Sequence, residues 1–156
     1  MQKGFTLIEL IVVIAIISIL SGMILFSVTQ YINKGKDANV QSNLAILVPA
    51  GEKYYDASGQ SYSGFCDPGT SGVFATIISQ MPDLPRASNC SYNNKKIPCC
   101  NGGVTAQSWV ACAQEFSDSN YAFCVDSRGV KKEICSRDCK ADITSCGDLG
   151  ISSCTP

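Results

Sequence analysis

The sequence predicts an α+β protein, in which one long N-terminal helix packs on a small antiparallel sheet held together by disulfides. Three observations lead to this prediction. The chain opens with an apolar run whose only charge is Glu9, it continues with apolar residues at helical spacing, and all 10 cysteines lie after residue 65. We therefore divide the chain of 156 residues into a stem helix (5–55) and a disulfide-rich globular head domain (56–156).

The first part of the stem, from Phe5 to Val28, is apolar enough to cross a membrane. As a helix rising about 1.5 Å per residue it would span roughly 36 Å, against a bilayer core of about 30 Å. A cleaved secretory signal has an apolar region of only about 7–15 residues and matches poorly. A plain single-pass anchor fits the length but leaves Glu9 unexplained, because a carboxylate in hydrocarbon is costly unless it finds a partner or reaches the interface.

The stretch KGFTLIEL near the N-terminus resembles the class III signal of type IV pilins and the related pseudopilins. The resemblance implies that a prepilin peptidase cuts between Gly4 and Phe5, removing a leader (1–4), and that the new N-terminal Phe5 is methylated. It also implies that Glu9 helps a subunit to dock into a growing filament. In an apolar filament core the Phe5 amine and the Glu9 carboxylate would each be costly alone, so pairing them between neighbours would fix the register.

The second part of the stem turns amphipathic. Its apolar residues follow helical spacing and predict a helix that continues to about Tyr55 and packs on the head: Val40, Leu44, Leu47, Val48 and Tyr55. The polar residues are expected on the other faces: Asp37, Asn39, Gln41 and Asn43. Pro49 is expected to kink the helix or to start a new turn. Many pilins have a helix-bending proline about twenty residues into the mature chain, where this stem has Ser21 and Gly22 instead. Whether the stem melts near Gly22 stays open.

The head shows one helical and three strand-like patterns. Apolar residues at helical spacing in GVFATIISQM (72–81) predict a short helix, which the following prolines end. The runs SWVACAQEF (108–116) and YAFCVD (121–126) alternate apolar with small or polar residues, and SDSN between them is typical of a turn. A second turn at DSRG, ending in Gly129, leads into VKKEI (130–134). We therefore predict a three-stranded antiparallel meander.

The even cysteine count at this density predicts five disulfides and a location outside the cytoplasm. The cysteines are Cys66, Cys90, Cys99, Cys100, Cys112, Cys124, Cys135, Cys139, Cys146 and Cys154. Zinc is the competing interpretation, on the loose ligand-like spacing of the last four, but paired C-x-x-C motifs are missing. Cys112 and Cys124 are candidates to bridge across the first hairpin. Adjacent Cys99 and Cys100 should hold two different segments, and the remaining pairing stays open.

The composition favours neither catalysis nor nucleic-acid binding. The chain has 0 histidines, which removes the commonest general base and the commonest zinc ligand. A net charge of −1 provides little attraction for nucleic acid, and the short lysine pairs Lys95–Lys96 and Lys131–Lys132 are interpreted as solvated surface. The acidic loops SRDCKAD and CGDLG are weak calcium candidates. We predict no enzyme activity, no cofactor, no metal site and no specific nucleic-acid site.

The resemblance therefore implies a structural subunit, a pilin of a type IV pilus that serves adhesion, motility or DNA uptake. Its precursor would lie in the cytoplasmic membrane with the head outside the cytoplasm, and the processed chain would form an extracellular filament. The implied partners are further copies of the chain through their stems, the prepilin peptidase and an inner-membrane assembly platform. Two alternatives stay open: a pseudopilin of a type II secretion system, and a monomeric membrane-anchored binding domain. The ten cysteines favour the pilus over the pseudopilus.

Overall fold

The N-terminal part of the protein is one helix, α1 (Leu7–Ala57). The computed structural model describes residues 4–69, 72–85, 88–103, 105–147 and 154, apart from the side chains of residues 25 and 26. The N-cap of α1 is Thr6, and its C-cap is Ser58, which is followed by Gly59 in the left-handed region. The helix continues through Pro49, so this proline does not start a separate helix.

The second half of α1 is fixed by its buried face. Val40, Leu44 and Leu47 are buried at the spacing that the sequence predicts, and Val48 and Tyr55 pack half-buried against the same core. The prediction was wrong for Asp37 and Asn43, which are buried as well. Their burial is possible because each is hydrogen-bonded: Asp37 accepts from two backbone amides of the head, and the Asn43 amide donates to the backbone carbonyl of Asn39.

The head contains a short helix and a four-stranded antiparallel sheet. Helix α2 (Val73–Ser79) lies within the segment predicted as helical. The sheet strands are β3 (Cys99–Asn101), β4 (Val110–Gln114), β5 (Tyr121–Asp126) and β6 (Lys131–Cys135), in the order β3-β4-β5-β6. Strands β4 to β6 form the predicted meander, and Gly129 has a positive φ in the second turn. A separate hairpin pairs β1 (Ser91–Tyr92) with β2 (Lys95–Lys96).

Two strand features lie beyond the sequence prediction. Strand β3 extends the meander to four strands, with Cys99 directly opposite Cys112. The hairpin of β1 and β2 turns through Asn93 and Asn94, which both have positive φ. Positive φ at both central residues characterises a type I′ turn, and asparagine tolerates this conformation better than most residues.

The sheet lies between two layers. One face contacts α1, against which α2 also packs, and its core includes Trp109, Ala111, Ala113 and Val125 with the buried residues of the helices. The other face is covered by the segment after β6, which begins with a 3₁₀ turn (Ser136–Asp138) and contributes Cys139, Ile143 and Cys146 to a second buried cluster. Strand β4 is buried along its whole length because both faces are covered.

All ten cysteines form disulfides: Cys66–Cys100, Cys90–Cys99, Cys112–Cys139, Cys124–Cys146 and Cys135–Cys154. The proposed bridge between Cys112 and Cys124 is wrong. The two residues are opposite in the register, but each reaches the covering segment instead. Three of the five bridges therefore attach the chain after β6 to the sheet, where few large apolar side chains are available. The neighbours Cys99 and Cys100 do hold two different segments.

Candidate assembly site

The N-terminal end of the stem is exposed and extended. Gly4, Phe5 and Thr6 precede the helix, and the Phe5 side chain is 83% exposed. Apart from its chain neighbours, no described residue has a heavy atom within 4 Å of the position where Gly4 would carry a Cβ. An exposed segment outside regular structure is the kind of backbone that a peptidase accommodates. The first three residues of the predicted leader, Met1 to Lys3, lie outside the described residues.

Glu9 takes part in a capping box with Thr6. The Glu9 carboxylate accepts hydrogen bonds from the Thr6 backbone amide at 2.8 Å and from the Thr6 hydroxyl at 2.7 Å. The Glu9 backbone amide donates to the Thr6 hydroxyl oxygen at 3.3 Å. This reciprocal arrangement satisfies orphan donors at the start of the helix. It also holds the only carboxylate of the apolar run beside the predicted new N-terminus, Phe5.

Beyond Glu9 the stem presents a continuous apolar surface. Every described side chain from Gly4 to Ile32 is exposed, and the large apolar ones include Leu10, Ile17 and Leu20. By length and composition α1 is able to cross a membrane, and none of its most apolar stretch is buried in the protein. Exposed apolar surface of this extent marks a membrane or protein interaction site.

The apolar surface ends where the head contacts the stem. The Lys36 ammonium lies 5.1 Å from the centre of the Phe116 ring, within cation–π range. The next residue, Asp37, accepts hydrogen bonds from the backbone amides of Phe116 at 2.6 Å and Ser117 at 3.0 Å. These two amides belong to the turn between β4 and β5. Asp37 therefore attaches this turn to the stem.

Glu115, at the start of the same turn, is also buried, with 8% of its surface exposed. Burial raises its pKa to about 7, and the carboxylates of Glu133, Asp37 and Asp118 add to the increase. A hydrogen bond from the Ser117 hydroxyl partly opposes this rise in pKa. The junction of stem and head thus contains a carboxyl group that titrates near neutral pH.

The cysteines do not offer a metal site in their oxidised form. The sulfurs of Cys99, Cys112 and Cys139 lie within 4.8 Å of one another, a spacing that suits a metal only if they are free thiolates. Here all three belong to disulfides. Of the two acidic loops weighed for calcium, Asp148 lies outside the described residues, and Asp142 in the other loop is exposed.

The structure brings together the three residues that the signal singles out, Gly4, Phe5 and Glu9, at one end of the helix. Thr6 was not predicted as a site residue, although threonine three residues before glutamate is the usual signature of a capping box. Asp37 was expected on a polar face of the stem and is instead buried at the junction. Nothing in the local pattern marks this residue, because its two hydrogen-bond donors lie far along the chain in the β4–β5 turn.

Comparison with known proteins agrees with these features. Residues 1–25 match the family model described as the prokaryotic N-terminal methylation motif. A type IV major alpha-pilin of Moraxella bovis is 47% identical over 57 residues, which are 36% of this chain and 33% of that protein. Fimbrial protein Q of Moraxella bovis is 47% identical over 57 residues, 36% of this chain and 34% of that protein. The chain thus spans about a third of the length of these relatives, and no solved structure matches it. The motif and the relatives support the type IV pilin family.

Proposed function

We propose that the chain is a prepilin that is processed after Gly4 and polymerises through its stem into a type IV pilus on the cell surface. The observation that carries this proposal is the exposed apolar half of α1, from Leu7 to Ile32, which needs a cover. Lipid would cover it in the precursor, and the stems of other subunits would cover it in the filament. Because successive subunits would contact each other through different surfaces, the contacts would not close into a ring.

Processing would create the charge that Glu9 requires. A cut between Gly4 and Phe5 leaves an amine on Phe5, and methylation of that amine keeps its positive charge. In the structure the Glu9 carboxylate is held by two donors of Thr6, both neutral. Hydrogen bonds from neutral groups stabilise a carboxylate in an apolar core less than a cation does. A Phe5 amine from a neighbouring stem would supply that cation and fix the axial position of the incoming subunit.

The proposed domains follow from this account: a leader (1–4), a stem (5–55) whose first part (5–28) spans the membrane before assembly, and a head (56–156). The prepilin peptidase and an inner-membrane assembly platform are the proposed partners. The head would face an oxidising compartment, where its five disulfides persist. Adhesion, motility or DNA uptake by the filament remains part of the proposal, and the chain would act in a structural role rather than as an enzyme.

The capping box provides a sharp test of the charge pair. Glu9→Gln removes the charge but keeps an acceptor for the box, whereas Thr6→Val removes the capping hydroxyl and keeps the charge. Each variant is expressed in the source cells, and sheared fibres are quantified against the chain in membranes. We expect Glu9→Gln to insert normally and to give fewer fibres by at least about tenfold, since breaking a buried pair is strongly unfavourable. Thr6→Val should still form fibres.

The same experiment addresses the alternatives. Normal fibres from Glu9→Gln would contradict the charge pair. Loss of fibres only in Thr6→Val would mean that the helix cap, not the charge, matters for assembly. A monomeric membrane-anchored domain predicts that the wild-type chain forms no fibres and keeps its leader. A pseudopilin of a type II secretion system shares the stem chemistry, but the curated matches are named as a pilin and a fimbrial protein.

A further inference from the structure

The junction between stem and head contains two buried carboxyl groups that face the same turn. Asp37 on α1 binds the backbone amides of Phe116 and Ser117. Glu115 lies at the base of that turn, after the end of β4, and its Oε2 accepts a hydrogen bond from the Ser117 hydroxyl at 3.4 Å. Both carboxyl groups are more than nine-tenths buried. This contact joins the sheet to the stem just above the apolar surface.

Glu115 lacks compensation for a negative charge. Its Oε1 is buried and has no hydrogen-bond partner among the described residues. The charged groups that raise its pKa are three carboxylates: Glu133 from β6, Asp37 from α1 and Asp118 from the turn. Two lysines of α1 lie near this turn: Lys36 is over the Phe116 ring, and Lys34 lines a surface pocket with Ser117. Neither lysine is among the groups that shift the pKa of Glu115. An ionised carboxylate in such a place is unfavourable, so Glu115 retains its proton to higher pH than an exposed glutamate does.

A bound cation is the other way to neutralise such a cluster, and the geometry does not favour it. A metal site needs three or more ligand atoms close together. Among the described residues, the group whose ligand atoms lie within 4.8 Å of one another consists of cysteines only. The carboxylates around Glu115 therefore do not converge on one point. A proton on Glu115 needs no such convergence.

We propose that Glu115 is a proton switch that controls how tightly the β4–β5 turn is held on the stem. With a proton on Glu115, Asp37 holds the amides of Phe116 and Ser117 without a second carboxylate charge from Glu115 beside it. When Glu115 ionises, its charge is placed beside those of Asp37 and Glu133. Relief of that repulsion requires the turn to move away from α1 so that water reaches Glu115. The proposal concerns the head of the subunit and does not depend on whether the stem polymerises.

The direction of the pH effect follows from linkage. The pKa of Glu115 is raised from 4.5 to about 7 by burial and the neighbouring carboxylates. The folded protein therefore binds more protons than the unfolded chain between these values. The contribution of Glu115 to the free energy of unfolding is fully present at pH values below 4.5 and is lost as the pH rises through about 7. Between about pH 5.5 and pH 8.5 this group alone should increase the unfolding constant about 30-fold.

The test compares the pH dependence of unfolding in the full chain in detergent micelles. Denaturant unfolding is followed by the fluorescence of Trp109, the only tryptophan and a buried one. Between about pH 5.5 and pH 8.5 the unfolding constant of wild type should rise about 30-fold more than that of Glu115→Gln. Asp142→Asn is the matched control, because it removes an exposed carboxylate by the same change, and it should follow wild type. Equal pH profiles for wild type and Glu115→Gln would overturn the proposal.

A second measurement uses the wild-type chain and keeps the proposal testable if Glu115→Gln does not fold. Hydrogen exchange of the Phe116 and Ser117 amides is recorded as a function of pH, relative to the amides of β5. After correction for the base dependence of exchange, their protection should fall selectively as the pH passes about 7, the pKa of Glu115. Protection that stays constant relative to β5 would contradict the switch.

Discussion

Gly51 allows the only tryptophan to lie directly against the stem, and its replacement by alanine tests how tightly the head packs there. Gly51 is buried in α1, and a Cβ at this position would lie 2.6 Å from Nε1 and 3.0 Å from Cε2 of Trp109. The Trp109 side chain is 1% exposed and contacts the Phe65 ring at a centroid distance of 4.9 Å. Neither ring can move without opening the core.

The expected magnitude is the difference between two opposing effects. Alanine is favoured over glycine in a helix by about 1 kcal/mol. This gain should be realised at Gly35, which is exposed and whose would-be Cβ has no described heavy atom within 4 Å other than those of its chain neighbours and of the helix backbone. At Gly51 the same gain is opposed by overpacking, which costs about 1–3 kcal/mol. Gly51→Ala should therefore be less stable than Gly35→Ala by about 1–3 kcal/mol.

Guanidinium unfolding of the full chain in detergent, followed by Trp109 fluorescence, measures this difference. A double variant identifies its cause. In a Trp109→Phe background, where the ring is smaller, the penalty of Gly51→Ala should shrink, as judged by near-ultraviolet circular dichroism. Equal stabilisation by Gly51→Ala and Gly35→Ala would refute the close approach of helix and indole. An unchanged penalty in the Trp109→Phe background would place its origin elsewhere.

Three further predictions concern the head. Asp126 is buried and accepts hydrogen bonds from the backbone amide and side chain of Arg128. Asp126→Asn should therefore lower the unfolding free energy by about 1–3 kcal/mol in the same denaturation assay. An unchanged unfolding free energy would contradict a role of Asp126 in the turn. Burial and the nearby Glu52 raise the pKa of Tyr62 to about 12. Ultraviolet titration should therefore show one tyrosine that ionises late, and this late step should be lost in Tyr62→Phe. The free energy of unfolding should fall as the pH rises from 10 towards 12. Replacing Cys112 and Cys139 together by serine should cost about 2–4 kcal/mol, and a non-reduced digest of wild type should contain the peptide pair that they link.

The elements with strong local periodicity were the ones that the sequence predicted well. Val40, Leu44 and Leu47 repeat along one helix face, and the alternation in β4 and β5 together with the turn residues between them specifies a hairpin. These signals depend on residues close in the chain. Strand β3 has three residues, too few to show alternation, and only pairing with β4 makes it a strand.

The disulfide pairing and the stem–head junction depended on tertiary structure. Cys112 and Cys124 do lie opposite each other, as the hairpin suggests, but the segment after β6 covers that face and brings its own cysteines. The partner of each sulfur is thus decided by a layer that local spacing does not reveal. Asp37 is similar, because a polar residue beside an apolar stripe normally faces solvent. Its burial becomes understandable only when the amides of the β4–β5 turn are seen next to it.

The proposed cut after Gly4 and the proposed assembly through the stem are tested together by intact-mass and peptide mass spectrometry of fibres sheared from the source cells. We expect the dominant band to begin with a methylated Phe5 and its ten cysteines to be oxidised. A chain found only in membranes, with Met1 to Gly4 still attached, would contradict both proposals and would indicate a tethered domain instead.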